Sequence, residues 1–294
     1  MSKANNVRTD VYARVTDRIV ADLEAGTRPW MKPWANSAGN GQVARPLRHN
    51  GVPYRGVNVL MLWADALDKG FSSPMWMTYQ QAQELGAHVR KGETGSLVVY
   101  ADRFIKTETT DQGQDVEREI PFMKGYSVFN VEQIEDLPAK YITEPTPAGN
   151  AGQIARAETF FAATGAKFQH GGSRAFYAPS QDVIQLPPLA TFRDSESYAA
   201  TKAHELIHWT GNDQRLSRQF GKRFADDAYA VEELVAEMGA AFLCADLGVT
   251  PETLPDHADY LAHWLSVLKN DKRAIFTAAA QAQRAADYLH SLQE

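Results

Sequence analysis

The chain has 294 residues, of which 44% are hydrophobic and 22% charged, a composition typical of a globular protein rather than a disordered one. Its length suits two domains better than one. The single cysteine, Cys244, excludes an internal disulfide framework and favours a reducing compartment, so a cytoplasmic location is expected. The polar residues 1–6 lack a secretory signal, and the longest apolar stretch, residues 57–64, is too short to span a bilayer, so no membrane association is expected.

Charge is distributed unevenly along the chain. The net charge is −6, but residues 1–106 hold 14 Lys+Arg and 9 Asp+Glu, a net of +5. Residues 107–294 hold 16 basic and 27 acidic residues, a net of −11. A basic N-terminal part and an acidic C-terminal part indicate two different functions within one chain.

The first half is predicted to contain helices and strands. Apolar residues four apart predict a helix over 9–25 that ends at Gly26. Helical patterns recur over 57–67 and 78–85, and strands are expected over 96–100 and 121–129, joined as a long hairpin with an acidic tip over 108–119. We place the first domain at 1–143 and, from its Pro/Gly content, an interdomain linker at 144–150.

The basic region contains aromatic residues interleaved with cationic ones, which is the pattern of a single-stranded nucleic-acid surface, because bases stack on rings and phosphates meet positive charge. No sequence-reading motif is present, so binding is expected to be non-specific. Each of Trp30, Trp34 and Trp76 could equally serve a core. The candidate DNA-binding residues are Arg28, Trp30, Lys32, Trp34, Tyr54, Arg55, Asn58, Trp76, Arg90 and Lys91.

The second domain, 151–294, is predicted to be mainly helical with a small sheet, which makes the whole chain α+β. A helix is expected over 154–163, followed by short strands near Phe176 and over 183–186. Four helices follow, over 196–210, 229–247, 255–268 and 271–292.

The helix over 196–210 carries an HExxH motif. His204 and His208 are four residues apart and therefore lie on one face, where both imidazoles can reach one Zn²⁺ ion. Glu205 lies beside the metal, where it can accept a proton from a zinc-bound water. Two histidines that share a face by coincidence are the simpler alternative, but the specificity of the motif favours a zinc site of the metalloprotease type.

A catalytic zinc normally has three protein ligands. The metzincin position six residues after His208 holds Gln214, so a histidine there is excluded. We assign the third ligand to Glu233 on the helix over 229–247. We expect Glu237, one turn later on the same face, to orient a ligand histidine through a hydrogen bond without itself binding the metal. Glu232 points about 100° away and is the weaker candidate.

Other assignments at this site stay open. A solvated helix face is the alternative interpretation of the glutamates, and His257 or His263 could instead supply the third ligand. An oxyanion stabiliser is also needed. Tyr177 is near the site helix in sequence, but a packing role suits it better.

These residues together resemble a known family. The segments 177–187, 204–211, 232–237, 264–272 and 285–288 are similar to the metallopeptidase domain of ArdC-type antirestriction proteins. The segments 15–19, 29–34, 54–58 and 89–93 resemble that family's N-terminal domain, which TraC-type conjugative primases share. The resemblance covers nearly the whole chain except the linker and the acidic hairpin tip.

The resemblance implies a plasmid- or phage-borne antirestriction protein that protects incoming DNA and is carried with it into recipient cells. It implies single-stranded DNA binding by the N-terminal domain, a zincin-like C-terminal domain, and a helical glutamate ligand, which supports Glu233. A protein of the host restriction or DNA-handling machinery is a candidate substrate. Two alternatives remain: a non-catalytic DNA-binding protein that shields DNA and holds zinc only for structure, and an acidic DNA mimic that inhibits the restriction enzyme.

Overall fold

The computed structural model describes residues 10–31, 44–109, 115–142, 150–218, 227–250 and 260–293. Its first half begins with helix α1 (Val11–Glu24), whose N-terminus is capped by the carboxylate of Asp10. Helices α2 (Val57–Lys69) and α3 (Tyr79–Glu84) follow. In α3, Thr78 and Gln81 form a capping box, which fixes the start of this short helix.

A four-stranded sheet of order β1-β2-β5-β4 lies beside these helices. Its strands are β1 (Leu47–Arg48), β2 (Met75–Met77), β4 (Ser96–Thr109) and β5 (Asp115–Asn130). Strands β4 and β5 pair antiparallel over fourteen residues each, as the predicted long hairpin. A separate pair, β3 (His88–Val89) and β6 (Ile134–Glu135), is antiparallel, and short 3-10 turns lie at Val131–Gln133 and Ala139–Tyr141.

The second half is mainly helical around a small sheet. Helix α4 (Asn150–Ala163) precedes a three-stranded sheet of order β7-β9-β8, formed by β7 (Lys167–His170), β8 (Phe176–Ala178) and β9 (Val183–Leu186). A 3-10 turn at Leu189–Thr191 leads into α5 (Ser195–Thr210), and α6 (Asp227–Leu247), α7 (Leu261–Asn270) and α8 (Ala274–Ser291) complete the chain.

The main hydrophobic core runs through both halves rather than dividing into two. Trp63 of α2 packs against Phe242 of α6, with ring centroids 5.9 Å apart, in one cluster that also contains α1, α5 and α8. A second, smaller cluster lies around Met77 and Ile134 in the first half. Apolar residues of both predicted domains therefore contribute chiefly to a shared core.

The predicted α+β class and most predicted elements are confirmed. The short strands β1, β2, β3, β6 and β7 were not predicted. The helix predicted over 255–268 is described only as α7, since residues 251–259 lie outside the described ranges. The proposed linker at 144–150 also falls almost entirely outside them. Within the described parts of the chain, no helix is long and apolar enough to cross a membrane.

Candidate metal centre

Helix α5 carries the HExxH motif at the centre of the second half. Asp194 begins the helix, because its carboxylate accepts a hydrogen bond from the backbone N–H of Ser197 at 2.7 Å. From Tyr198 to Thr210 every residue of α5 is buried. His204, Glu205 and His208 are 5%, 4% and 8% exposed. Three polar residues at this depth require partners, because an unpaired buried polar group is costly.

Helix α6 crosses α5 at close range. Gly239 allows this approach, because a Cβ at that position would lie 3.0 Å from the side chain of Ile207 on α5. The crossing brings the N-terminal part of α6, with Glu232 and Glu233, against the two histidines. Both carboxylates are buried, at 4% and 6% exposure.

Three donor atoms converge at this crossing. The Nε2 atoms of His204 and His208 lie 3.2 Å apart, and each lies 3.5 Å from a carboxylate oxygen of Glu233. For a tetrahedral zinc with bonds of about 2.0–2.1 Å, neighbouring donors lie about 3.3 Å apart. The three distances match that spacing, and two imidazoles with one carboxylate are a donor set that suits zinc.

The charges of this cluster stabilise one another. Burial alone would lower the pKa of His208, but Glu233 and Glu232 outweigh it and raise that pKa well above its usual value. Burial likewise opposes ionisation of Glu233, yet the two histidines hold its pKa well below the usual range. A divalent cation at the same point would supply the positive charge that the protonated imidazole otherwise provides.

Glu232 orients His208 by contacting the ring nitrogen that faces away from Glu233. Its Oε1 lies 3.1 Å from His208 Nδ1, and Arg218 donates to the same carboxylate from Nε at 2.9 Å and from Nη2 at 2.8 Å. Arg218 also donates to the hydroxyl of Thr210 and to the carbonyl of Ile207. Such a contact fixes the tautomer and the ring orientation of a ligand histidine.

The contact with a ligand histidine that we expected of Glu237 is thus made to His208 by Glu232, the candidate ranked lower from the sequence. Glu237 accepts a hydrogen bond from the indole Nε1 of Trp30 at 3.0 Å. Its other oxygen lies 3.7 Å from Nη1 of Arg28. Arg218 was missed altogether, because its distance along the chain from the motif matches no ligand spacing.

Glu205 lies beside the three donor atoms. Burial raises the pKa of its carboxyl, and the neighbouring histidines lower it by a smaller amount. The carboxyl accepts a hydrogen bond from the backbone N–H of Tyr177 on β8. It therefore can take up a proton from, and return a proton to, a group held at the centre.

The other candidates at this site lie as follows. Among the described residues, His204, His208 and Glu233 form a group that could hold a metal ion, with ligand atoms within 4.8 Å of one another. His263 is not part of that group, and His257 lies outside the described ranges. The hydroxyl of Tyr177 donates to Asp182 at 2.8 Å and accepts from Asn212 at 2.7 Å, so it is engaged in packing the loop after α5.

The aromatic candidates for DNA binding that can be described lie in the core. Trp30, Tyr54 and Trp76 are 0%, 4% and 1% exposed. A buried ring offers no face to a base, so the stacking role predicted for these three does not fit their positions in the structure. Trp34 and Lys32 lie outside the described residues.

The polar DNA-binding candidates divide into internal and surface positions. The amide of Asn58 pairs with the backbone N–H and C=O of Val99 and so caps the outer edge of β4. Arg28 packs against Trp264 and is largely buried, with 14% of its side chain exposed. Arg55 and Arg90 are 59% and 43% exposed at their side chains, each beside an acidic partner, and Lys91 is exposed.

Two family models match the chain. One, described as the N-terminal domain of the anti-restriction factor ArdC, matches residues 9–129. The other, described as a zincin-like metallopeptidase, matches residues 155–281. The predicted boundary at 144–150 lies between the two matched ranges.

Full-length relatives and solved structures agree with these matches. Protein y4eC of Sinorhizobium fredii is 42% identical and covers 97% of this chain and 93% of its own. Two TraC DNA primases of Escherichia coli are each 36% identical over 98% and 95% of this chain, which spans only 28% and 20% of their lengths. Crystal structures of the antirestriction protein ArdC from plasmid R388, metal-free and Mn(II)-bound, are 46% identical with TM-scores of 0.81 and 0.78, and each covers 97% of this chain and 98% of its own.

Proposed function

Since this chain belongs to the ArdC family of antirestriction proteins, with a zincin-like metallopeptidase domain, we propose that it protects incoming plasmid DNA from host restriction by two activities. The first half binds single-stranded DNA without sequence preference. The second half is a zinc-dependent peptidase that acts on a protein of the host restriction or DNA-handling machinery.

The observation that carries the proposal is the arrangement of two imidazole nitrogens and one carboxylate at 3.2–3.5 Å from one another, with Glu205 alongside. His204, His208 and Glu233 would hold the metal. Zn²⁺ is our assignment, while the Mn(II)-bound relative is consistent with a divalent cation at such a centre. When bound, zinc would acidify a water molecule and polarise the scissile carbonyl.

The chain's own groups would carry the proton. Glu205 is buried, which raises the pKa of its carboxyl and favours proton uptake during the attack of water. The same carboxyl would return that proton to the leaving amine. Glu232 and Arg218 would hold His208 in one orientation throughout, because both are buried and hydrogen-bonded to each other.

The DNA-binding proposal is supported by charge and by family. Residues 1–106 carry a net charge of +5, and the matched N-terminal domain is shared with relatives that are named as DNA primases. Exposed Arg55, Arg90 and Lys91 remain candidates for phosphate contacts, as does Lys32, and Trp34 remains a candidate for base stacking; Lys32 and Trp34 lie outside the described residues. Such contacts would make the affinity fall steeply with salt.

The test is plasmid transfer into a restricting host by cells that express the wild-type protein, Glu205→Gln or the exposed control Glu84→Gln. We expect Glu84→Gln to protect as the wild type does. Glu205→Gln should keep its metal and its DNA binding yet lose protection. Full protection by Glu205→Gln would contradict the peptidase proposal and leave a protein that shields DNA and uses zinc for structure.

A further inference from the structure

The hairpin of β4 and β5 has two faces of different chemistry. The register pairs Val98 with Tyr126, Tyr100 with Lys124 and Asp102 with Phe122, and side chains of paired and alternate residues share a face. We call the surface formed by Tyr100, Phe122, Lys124 and Tyr126 the aromatic face. It continues the buried row of Val98 and Val128 beyond the edge of the core.

The aromatic face is open and ordered by its own contacts. Tyr100 and Tyr126 are 49% and 40% exposed. The rings of Tyr100 and Phe122 lie 6.3 Å apart, and the ammonium of Lys124 lies 5.1 Å from the centre of the Phe122 ring. Tyr126 is the diagonal neighbour of Tyr100, at a typical separation of about 7–8 Å. Large exposed rings set side by side at a pleated surface are suited to stacking.

Two acidic residues of the hairpin, Glu117 and Glu119, lie on the face opposite the aromatic face. Glu117 and Glu119 are paired with Thr107 and Ile105, which alternate with the aromatic-face positions and so belong to the opposite face. Arg103 on that opposite face donates to Glu119. These two carboxylates are therefore turned away from the rings.

The remaining charge on the aromatic face is favourable to a polyanion. Asp102 lies there, but it accepts hydrogen bonds from the hydroxyl of Tyr100 and from the backbone N–H of Arg103. Towards the core, the exposed Arg48 lies over the ring of Tyr54, at 5.5 Å.

We propose that the aromatic face is the surface on which the N-terminal half binds single-stranded DNA, with bases stacked on Tyr100 and Tyr126 and phosphates held by Lys124 and Arg48. The inference deepens the proposed DNA binding and rests on it. It replaces the buried Trp30, Tyr54 and Trp76 as stacking groups with rings that are accessible. Stacking requires no base-specific hydrogen bond, so binding is indifferent to sequence.

The test uses the full-length protein and a fluorescently labelled oligothymidylate, followed by anisotropy. Tyr100→Ala and Tyr126→Ala should each weaken binding about tenfold, as expected for the loss of one stacked base. Lys124→Ala should reduce the slope of log affinity against log salt by about 0.7, the value for one phosphate contact to a single strand. The matched control is Tyr79→Ala, because Tyr79 is 50% exposed in the same half but packs against Phe129, away from the aromatic face.

A second measurement is independent of the stability of the alanine variants. In Tyr126→Trp, stacking of a base should quench the fluorescence of the new indole, whereas Tyr79→Trp should be unaffected. If the wild type binds the oligonucleotide but the Tyr100 and Tyr126 variants bind equally well, the aromatic face is not the binding surface, although the DNA-binding function survives. If the wild type does not bind, the proposed DNA binding itself is wrong.

Discussion

The substitution Glu232→Gln probes how the metal centre is held together. Gln keeps the shape and an acceptor oxygen but removes the charge that is shared by His208 Nδ1 and Arg218. Outer partners of ligand histidines typically contribute a factor of about 10–100 in metal affinity, or about 1.4–2.7 kcal/mol. Arg218 would also be left as a buried cation without its ion-pair partner, and breaking a buried pair typically costs about 3–5 kcal/mol of stability.

The two effects can be separated by a matched set of variants. Metal affinity is measured by competition with a chelator, and the free energy of unfolding by urea titration. Arg218→Met combined with Glu232→Gln should recover much of the stability, because no cation remains buried, but should not recover the metal affinity. Glu237→Gln should bind metal nearly as well as the wild type. The reasoning is refuted if Glu232→Gln binds metal normally while Glu237→Gln does not.

Three further substitutions test local features of the fold by urea denaturation. Asp194→Ala removes the cap of α5 and should lower the free energy of unfolding by about 1 kcal/mol at neutral pH. Because the pKa of Asp194 is about 2, below its usual value of 3.8, this contribution is present above pH 3.8 and is lost as the pH falls towards 2. A difference between the variant and the wild type that is unchanged at pH 2 would contradict this origin. Trp30→Phe leaves the buried Glu237 without its indole donor and should cost about 1–3 kcal/mol; no loss would mean that another donor replaces it. Gly239→Val places methyl groups against Ile207 and should cost about 1–3 kcal/mol, whereas a neutral result would show that α5 and α6 can separate freely.

The helices of the site could be predicted from the sequence because the signals that define them are local. Apolar periodicity, the cap at Asp194 and the HExxH spacing all lie within single segments, and α5 and α6 begin and end within about two residues of their predicted positions. The convergence of Glu233 on the two histidines is consistent with the assignment made from the sequence. Its role as a metal ligand remains a prediction.

The roles of Glu232 and Glu237 could not be predicted without knowing how α6 crosses α5. An imidazole directs its two nitrogens away from each other, so successive residues of α6, about 100° apart, can approach His208 from both sides. Glu233 faces Nε2 while Glu232 faces Nδ1. A rule based only on sharing a helix face with Glu233 therefore favoured Glu237.

The choice between core packing and base stacking for Trp30 could not be made from the sequence for a related reason. Trp30 follows a proline in a stretch without helical periodicity, which predicts a surface loop. Its partner Glu237 lies 207 positions further along the chain, and no local pattern reveals such a contact. The accessible rings of Tyr100 and Tyr126 lie on the β4–β5 hairpin and were not among the predicted DNA-binding residues.

The most direct test of the account is the metal content of protein purified without added metal, measured by elemental analysis. The account predicts about one zinc per chain in the wild type and in Glu237→Gln, and loss of the metal in Glu233→Ala and in His204→Ala. Zinc that persists after Glu233→Ala, or a wild-type protein that never contains a divalent metal, would contradict the assignment of this centre.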